Sequence, residues 1–309
     1  MYVWDGGSIV NKGKIVKIVI IVLCIILIIG FIVWKNIERN NNDVSSSKTR
    51  IVTSFYPMYV IALNLTEGAE GIELSNMADV NVGCLHDYTL TTEDMKKVEN
   101  ADIFISNGLG MENFISKILE SNSDMKVIDS SNNLENVISN GIEENAHIWT
   151  SIDNYILQVQ NIAEELKTAD AKSAEIYTQN AQKYVDELNK LNEEYKSKLA
   201  KLNGEKAICL NEAFEYMGQE LGMEMITIKT DHEESAISAG MLKSVINKVK
   251  EDDIKIIIID KNDSKTNAET IANETGAKIL ELNSGLTGEL NKDAYINQMR
   301  ENMNILENV

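Results

Sequence analysis

The hydrophobic positions of this chain fall into two successive series of short apolar runs separated by helix-spaced segments. Runs of this length, bounded by polar or glycine residues, are typical of strands in a sheet that is covered on both faces. They lie at 51–55, 71–77, 103–106 and 126–128, and again at 207–210, 223–228, 254–259 and 278–282. The repeated alternation of strands and helices predicts an α/β protein with two lobes, each built on a parallel sheet.

Local signals predict where several helices begin and end. Pro57, the only proline in the chain, suits the first turn of a helix. Thr91, followed three residues later by Asp94, resembles a capping box at a second helix start. A further helix is expected over 111–119, and Gly276 is expected to end a helix as its C-cap.

The longest helical segment, 153–202, separates the two series of strands. Apolar residues recur at helical spacing along it, with a break expected at 168–170. The helix after the break would be roughly 45 Å long, which suits a coiled coil or, better, a helix that bridges two lobes. We predict a first lobe at 50–168, a rigid linking helix at 169–202 and a second lobe at 203–309, with a ligand cleft between the lobes.

One apolar segment precedes both lobes. Residues 18–34 carry no charge and are just long enough, as a helix, to cross a hydrocarbon layer of roughly 30 Å. The run does not end in small residues, which disfavours a cleaved signal peptide, and Cys24 lacks the small residues that precede a lipidated cysteine. We predict a cytoplasmic N-terminus at 1–17, a transmembrane anchor at 18–34, a flexible tether at 35–49 and an extracellular body.

Composition and charge exclude some classes of function. The hydrophobic fraction of 44% excludes general disorder, and the net charge of −19 argues against nucleic acid as a partner. An acidic body can attract cations, although solubility alone also explains the charge. Of the three cysteines, Cys84 and Cys209 fall in different predicted lobes, so we do not expect them to form a disulfide.

Two of the three histidines lie where binding loops are expected. His86 stands in Cys84-Leu85-His86-Asp87-Tyr88, between a predicted strand and a predicted helix start. His147 stands in Ala146-His147-Ile148-Trp149, just before the long helical segment. Because neutral imidazole is a common ligand of transition metals, we hypothesise that His86 and His147 form half of a metal site.

Several motifs, taken together, resemble a known protein family. They are Ser54-Phe55-Tyr56-Pro57, His86-Asp87-Tyr88, Ala101-Asp102-Ile103-Phe104, His147-Ile148-Trp149, Ala213-Phe214-Glu215-Tyr216, Asp293-Ala294-Tyr295 and Met299-Arg300-Glu301-Asn302. In order and spacing the chain from about residue 50 to its end resembles the zinc/manganese-type (cluster 9) solute-binding proteins of metal ABC transporters. The resemblance implies two lobes, a rigid linking helix and a metal held in the cleft for delivery to a membrane permease powered by an ATPase.

The resemblance also implies four metal ligands. The first two map onto His86 and His147. The third and fourth map onto Asn211 and Asn283, where relatives usually have His or Glu and then Asp. Zinc and manganese favour imidazole and carboxylate, whereas an amide oxygen brings no negative charge.

Three alternatives stay open for the second half of the site. Glu212 or His232 could substitute for the amides, Asp87 or a buffer anion could complete the shell, or the site could be weakened or lost.

The function implied by the resemblance is metal capture for an importer. We expect an extracellular, membrane-tethered monomer that binds Zn²⁺ or Mn²⁺, zinc slightly favoured, and delivers it to an ABC permease and its ATPase. The alternative is a degenerate family member that binds a partner or a surface. We do not expect an enzyme, because the sequence has no helical His-x-x-x-His pair and no nucleophile motif.

Overall fold

Two separate parallel sheets organise the chain in the computed structural model. The structure describes residues 27, 28, 30, 31, 35, 48–79, 82, 85, 88–139, 141, 143–228 and 237–309. Within this part of the chain, Thr49–Val309 form one compact unit.

The first sheet is formed by the first four strands. They are β1 (Thr49–Thr53), β2 (Ile72–Asn76), β3 (Ile103–Ser106) and β4 (Lys126–Asp129), in the order β2-β1-β3-β4. All neighbours are parallel, and Ile51 pairs with Leu74 on one side and Ile103 on the other. The helices that cross between these strands are α1 (Tyr56–Leu65), α2 (Thr92–Glu99) and α3 (Ile115–Ser121).

Two long helices follow the first sheet. They are α4 (Ile152–Ala169) and α5 (Ala174–Leu199), and the break between them falls at Asp170, as predicted. Short 3₁₀ turns at Ala171–Ser173 and Ala200–Leu202 flank α5. The buried face of α5 packs against α4 and α1, so this helix belongs to the core.

The second sheet repeats the arrangement of the first. Its strands are β5 (Lys206–Cys209), β6 (Glu224–Thr227), β7 (Ile256–Asp260) and β8 (Lys278–Leu282), all parallel, in the order β6-β5-β7-β8. The accompanying helices are α6 (Glu215–Glu220), α7 (Ala239–Glu251), α8 (Thr266–Thr275) and α9 (Ala294–Glu307). The predicted fold class, two parallel α/β lobes, is therefore confirmed, while the boundaries at 168/169 and 202/203 stay predictions.

A single hydrophobic core runs through both lobes. It includes Ile51 and Phe104 of the first sheet together with Ile258 and Leu282 of the second. A smaller cluster, which contains Ile257 and Ile259, lies on the other face of the second sheet. Successive isoleucines of β7 thus serve different clusters because strand side chains alternate between the two faces of a sheet.

Three local predictions are confirmed. Pro57 lies in the first turn of α1, and Gly276 ends α8 with a φ of 76°, in the left-handed region. At the start of α2, Thr91 accepts a hydrogen bond from the Asp94 backbone N–H, and the Asp94 carboxylate accepts one from the Thr91 backbone N–H.

The predicted helix at 111–119 is wrong at its beginning. Residues 111–114 form turns, and α3 begins only at Ile115. The reason lies in Glu112, whose buried carboxylate accepts hydrogen bonds from the backbone N–H groups of Asn107 and Gly108. These bonds hold the chain in a turn that an earlier helix start would break.

The predicted membrane anchor falls almost wholly outside the described residues. Leu27, Ile28 and Phe31 are helical, and their side chains are exposed. Among the residues that the structure describes, no helix is long and apolar enough to cross a membrane.

Removal of the Thr91 side chain, which caps α2, should measurably lower the stability of the protein. Thr91→Ala removes the side-chain acceptor of the Asp94 N–H, so we expect a loss of about 1 kcal/mol in the free energy of unfolding. For a chain of this size that corresponds to roughly 2–4 °C in the midpoint of thermal unfolding. Thr178→Ala, at an exposed position in the second turn of α5, is the matched control. An equal loss in both variants would contradict the capping role.

Candidate metal centre

His147 lies on a segment that connects the first sheet to α4 and passes between the lobes. Its side chain is fully buried. The ring Nδ1 and the backbone N of His147 each lie 2.9 Å from Oδ1 of Asn145. The imidazole also faces Trp149, with 5.2 Å between ring centroids. Both local contacts restrict the rotation of the imidazole.

The residues after His147 fasten this segment to the second lobe. Trp149 Nε1 donates to Ser284 O at 2.8 Å, and Tyr295 OH donates to Trp149 O at 2.9 Å. Thr150 Oγ1 donates to Ala213 O at 2.6 Å. His147 therefore stands beside the turns that follow β5 and β8, where the resemblance places the second half of the site.

Asn211 lies two residues after the end of β5 and has a structural role there. Its Oδ1 accepts the Ala213 N–H at 2.9 Å and so caps the 3₁₀ turn Glu212–Phe214. Its Nδ2 donates to Oδ2 of Asp263 at 3.0 Å. The oxygen and the nitrogen of the amide that was expected as a metal ligand thus both have hydrogen-bond partners within the protein.

Asn283 follows β8 and is similarly engaged. Its Oδ1 accepts the Gly285 N–H at 3.0 Å, and its backbone exchanges two hydrogen bonds of 2.8 Å with the side chain of Asn302. Gly285 has a φ of 78°, and a Cβ there would lie 3.4 Å from Trp149. This turn therefore fits closely under the tryptophan.

Two carboxylates near these amides were missed by sequence reasoning. Asp260 ends β7, the strand between β5 and β8, and its oxygens accept the N–H groups of Asn262 at 2.7 Å and Ser284 at 2.9 Å. Asp263 is exposed to solvent, but its carboxyl group is partly enclosed by neighbouring protein atoms. That enclosure, together with the nearby charge of Asp260, raises the pKa of Asp263. Only the position of both residues just after a predicted strand could have indicated them.

Of the remaining predicted site residues, the structure describes only Glu212. His86, Asp87 and His232 lie outside the described residues. Glu212 follows Asn211, and its backbone O accepts a hydrogen bond from Asn145 Nδ2 at 2.9 Å. Considering the described residues alone, no group of three or more His, Cys, Asp or Glu side chains could hold a metal ion.

Cys209 is enclosed by the protein at the end of β5. Its thiol is buried at the end of β5 and donates to Asn211 O. Burial raises the pKa of this thiol to about 12, so without a bound metal it stays protonated at neutral pH.

A buried polar network supports the histidine segment from the first lobe. Asn107 Nδ2 donates to Ala146 O at 2.9 Å, and Gln158 Nε2 donates to Asn107 Oδ1 at 3.1 Å and to Ser130 Oγ at 2.7 Å. Glu112 completes the network through its bonds to Asn107 and Gly108. The pKa of Glu112 is raised to about 7, chiefly by burial and to a lesser degree by the nearby charge of Asp129, while the hydrogen bonds from the backbone of Asn107 and Gly108 oppose the rise.

Several known proteins are similar to this chain. The family described as "ZnuA: Zinc-uptake complex component A periplasmic" matches residues 51–309. The zinc-binding protein AdcA of Streptococcus pyogenes serotype M1 is 27% identical over 316 residues, which cover 93% of this chain and 60% of AdcA. The manganese-binding lipoprotein MntA of Halalkalibacterium halodurans is 29% identical over 229 residues, which cover 71% of this chain and 75% of MntA.

A solved structure shows the same architecture. The structure of the SBP FpvC from Pseudomonas aeruginosa in complex with Ni²⁺ superimposes with a TM-score of 0.76 and 25% identity. The match covers 84% of this chain and 96% of that protein. Because this chain spans only 60% of AdcA, the length of that relative extends beyond the region they share.

The buried Glu112 predicts a pH-dependent stability. Its pKa in the folded chain, about 7, lies above the ordinary value of 4.5. The stabilisation from its bound proton is therefore complete below about pH 4.5 and is lost as the pH rises to about 7. Glu112→Gln has no such proton to lose. From pH 4.5 to pH 7, the free energy of unfolding of wild type should therefore fall relative to that of the variant by on the order of 3 kcal/mol.

Urea unfolding at pH 4.5, 6 and 7.5 measures this difference. Glu175→Gln, on the exposed face of α5, is the matched control and should follow wild type at every pH. Parallel curves for wild type and Glu112→Gln would show that Glu112 does not take up a proton in this range.

Proposed function

The chain belongs to the ZnuA family of zinc-uptake components, and from this premise we propose that it captures a divalent transition metal for an ABC importer. Zinc is slightly favoured over manganese as the cargo, and the receiving partners are a membrane permease and its ATPase. The observation that carries the proposal is the fully buried His147 at the junction of the two lobes, beside the turns after β5 and β8. This is the edge at which parallel sheets bind ligands.

We assign the metal to a set of side chains from both lobes. His86 and His147 supply imidazoles. Asn211 and Asn283 lie at the other two positions, with Glu212 and His232 as possible substitutes. Because the oxygens of both amides already accept backbone N–H groups, we add Asp263 as the source of negative charge. Two imidazoles and a carboxylate form a ligand set that suits zinc.

The assignment fits a protein that acts as a monomer. Every residue in the proposed set belongs to one chain, and no second copy is needed to complete it. The relatives named above are described as metal-binding proteins, which supports transport of a metal over catalysis.

Metal binding should depend on His147 and, to a smaller degree, on Asp263. For the metal-stripped full-length chain, micromolar excess of Zn²⁺ or Mn²⁺ should raise the midpoint of thermal unfolding, since a ligand that binds only the folded state stabilises it. His147→Ala should abolish most of that rise. Asp263→Asn should weaken binding at least about tenfold, the lower end of the range for residues that support a metal site.

The control for Asp263→Asn is Asp186→Asn, on the exposed face of α5, which should bind like wild type. If wild type shows no rise with either metal, the degenerate alternative is correct. The double variant Asn211→His and Asn283→Asp should then create the missing affinity.

We further propose that residues 18–34 anchor the protein in the membrane, with the body outside. The uncharged sequence of this segment and the exposed, helical Leu27, Ile28 and Phe31 support an anchor. The full-length chain should stay with membranes in alkaline carbonate and be released by detergent. A chain that begins at Thr49, the start of the compact unit, should be soluble. An intact mass that lacks the first residues would instead identify a cleaved signal.

A further inference from the structure

Asn145 stands two residues before His147 and is buried, with 4% of its surface exposed. Its side-chain amide has four partners. Oδ1 faces the backbone N and the ring Nδ1 of His147, both at 2.9 Å. Nδ2 donates to Glu212 O at 2.9 Å and to Glu215 Oε2 at 2.8 Å. One amide therefore connects the imidazole in the first lobe to the start of α6 in the second.

The partners of Nδ2 fix the orientation of this amide. A backbone carbonyl and a carboxylate oxygen can only accept hydrogen bonds, so the amide atom between them must be the NH₂ group. The atom that faces His147 is then the amide oxygen, which can only accept. It follows that Nδ1 of His147 carries a proton and that Nε2 is the acceptor nitrogen of the neutral ring.

The position of the histidine backbone does not depend on Asn145 alone. Asn107 Nδ2 donates a hydrogen bond to Ala146 O, and Thr150 Oγ1 donates one to Ala213 O in the second lobe. Trp149 and Tyr295 add two more bonds on the same segment. Removal of the Asn145 side chain therefore releases the imidazole while the segment around it stays anchored.

Both acceptors of the Asn145 Nδ2 hydrogen bonds belong to the second lobe. Besides Glu212 and Glu215, Tyr216 OH donates to the backbone O of Asn145 at 2.8 Å. Glu212 lies in the 3₁₀ turn that precedes α6, and Glu215 and Tyr216 are the first two residues of α6. The amide can hold the imidazole in one tautomer only while this part of the second lobe packs against it.

We propose that Asn145 is a positioning residue: it fixes His147 in the Nδ1–H tautomer, leaves Nε2 as the metal-binding nitrogen, and links that state to the packing of the second lobe. The metal-binding part of the proposal rests on the proposed function, whereas the tautomer does not. Supporting groups of this kind orient metal-binding imidazoles and typically change metal affinity by about 10–100-fold.

The test combines a tautomer measurement with zinc affinity on the full-length chain. The chain has only three histidines, so ¹⁵N-labelled imidazoles give few signals, and His147→Gln assigns those of His147. In metal-free wild type, ¹H–¹⁵N correlation spectra at pH 8 should show the Nδ1–H tautomer for His147. Asn145→Ala should show mixed tautomers and bind zinc about 10–100-fold more weakly.

A pair of variants separates the two contacts of the amide. Asn145→Asp keeps an oxygen for the imidazole but places a carboxylate against Glu215. It should therefore keep the Nδ1–H tautomer and unfold at a lower temperature than wild type. Adding Glu215→Gln supplies a donor to the new carboxylate and should restore the stability.

Asn192→Ala is the matched control, a buried asparagine of α5 whose Nδ2 donates to Asp153 rather than to the histidine segment. It should alter stability but neither the tautomer nor zinc affinity. An unchanged His147 tautomer in Asn145→Ala would overturn the proposal whether or not wild type binds zinc. Absence of zinc binding by wild type, with the tautomer shifted in Asn145→Ala, would refute the proposed function and retain the positioning role.

Discussion

The structure depends most on one short segment, residues 145–151, which crosses from the first lobe to the second. Its side chains and carbonyls form hydrogen bonds with residues after β5, after β8 and on α9. These groups are buried, so a partner that moved away would leave a polar atom without water or protein, at a cost of about 1–3 kcal/mol for each bond. The relative position of the two lobes and the position of His147 are consequently set by the same bonds.

The continuous core reinforces this constraint. Tyr155 of α4 stacks on Tyr295 of α9 with 3.5 Å between ring centroids, so helices that follow different sheets pack as neighbours. The core cluster continues from the first sheet to the second without a gap. Because packed interiors deform little, the lobes cannot swing apart about α5 as if it were a free hinge.

The fold was predictable from the sequence because its signals are local. The isoleucines of β7, the proline of α1 and the capping box of α2 each act through residues a few positions away. The site was predictable only in part. His147 stands in a motif, but Asn145, Asp263 and Glu112 acquire their roles from neighbours that are distant in sequence. Glu112 even reverses a local signal, since its bonds to two backbone N–H groups delay the start of α3.

The hydrogen bonds of Asn211 give a structural reason for the amide at this position of the proposed metal site. A carboxylate there could cap the Ala213 N–H equally well, so capping does not explain the amide. The difference lies in Nδ2, which donates to Asp263, whereas a carboxylate at 211 would face that residue as a like charge. The asparagine and the aspartate therefore complement each other, and negative charge resides at position 263 instead of 211. In the metal site proposed above, a divalent ion would be attracted by the total charge around it, so a shift of one carboxylate across a hydrogen bond would alter the geometry of that site more than its electrostatic strength.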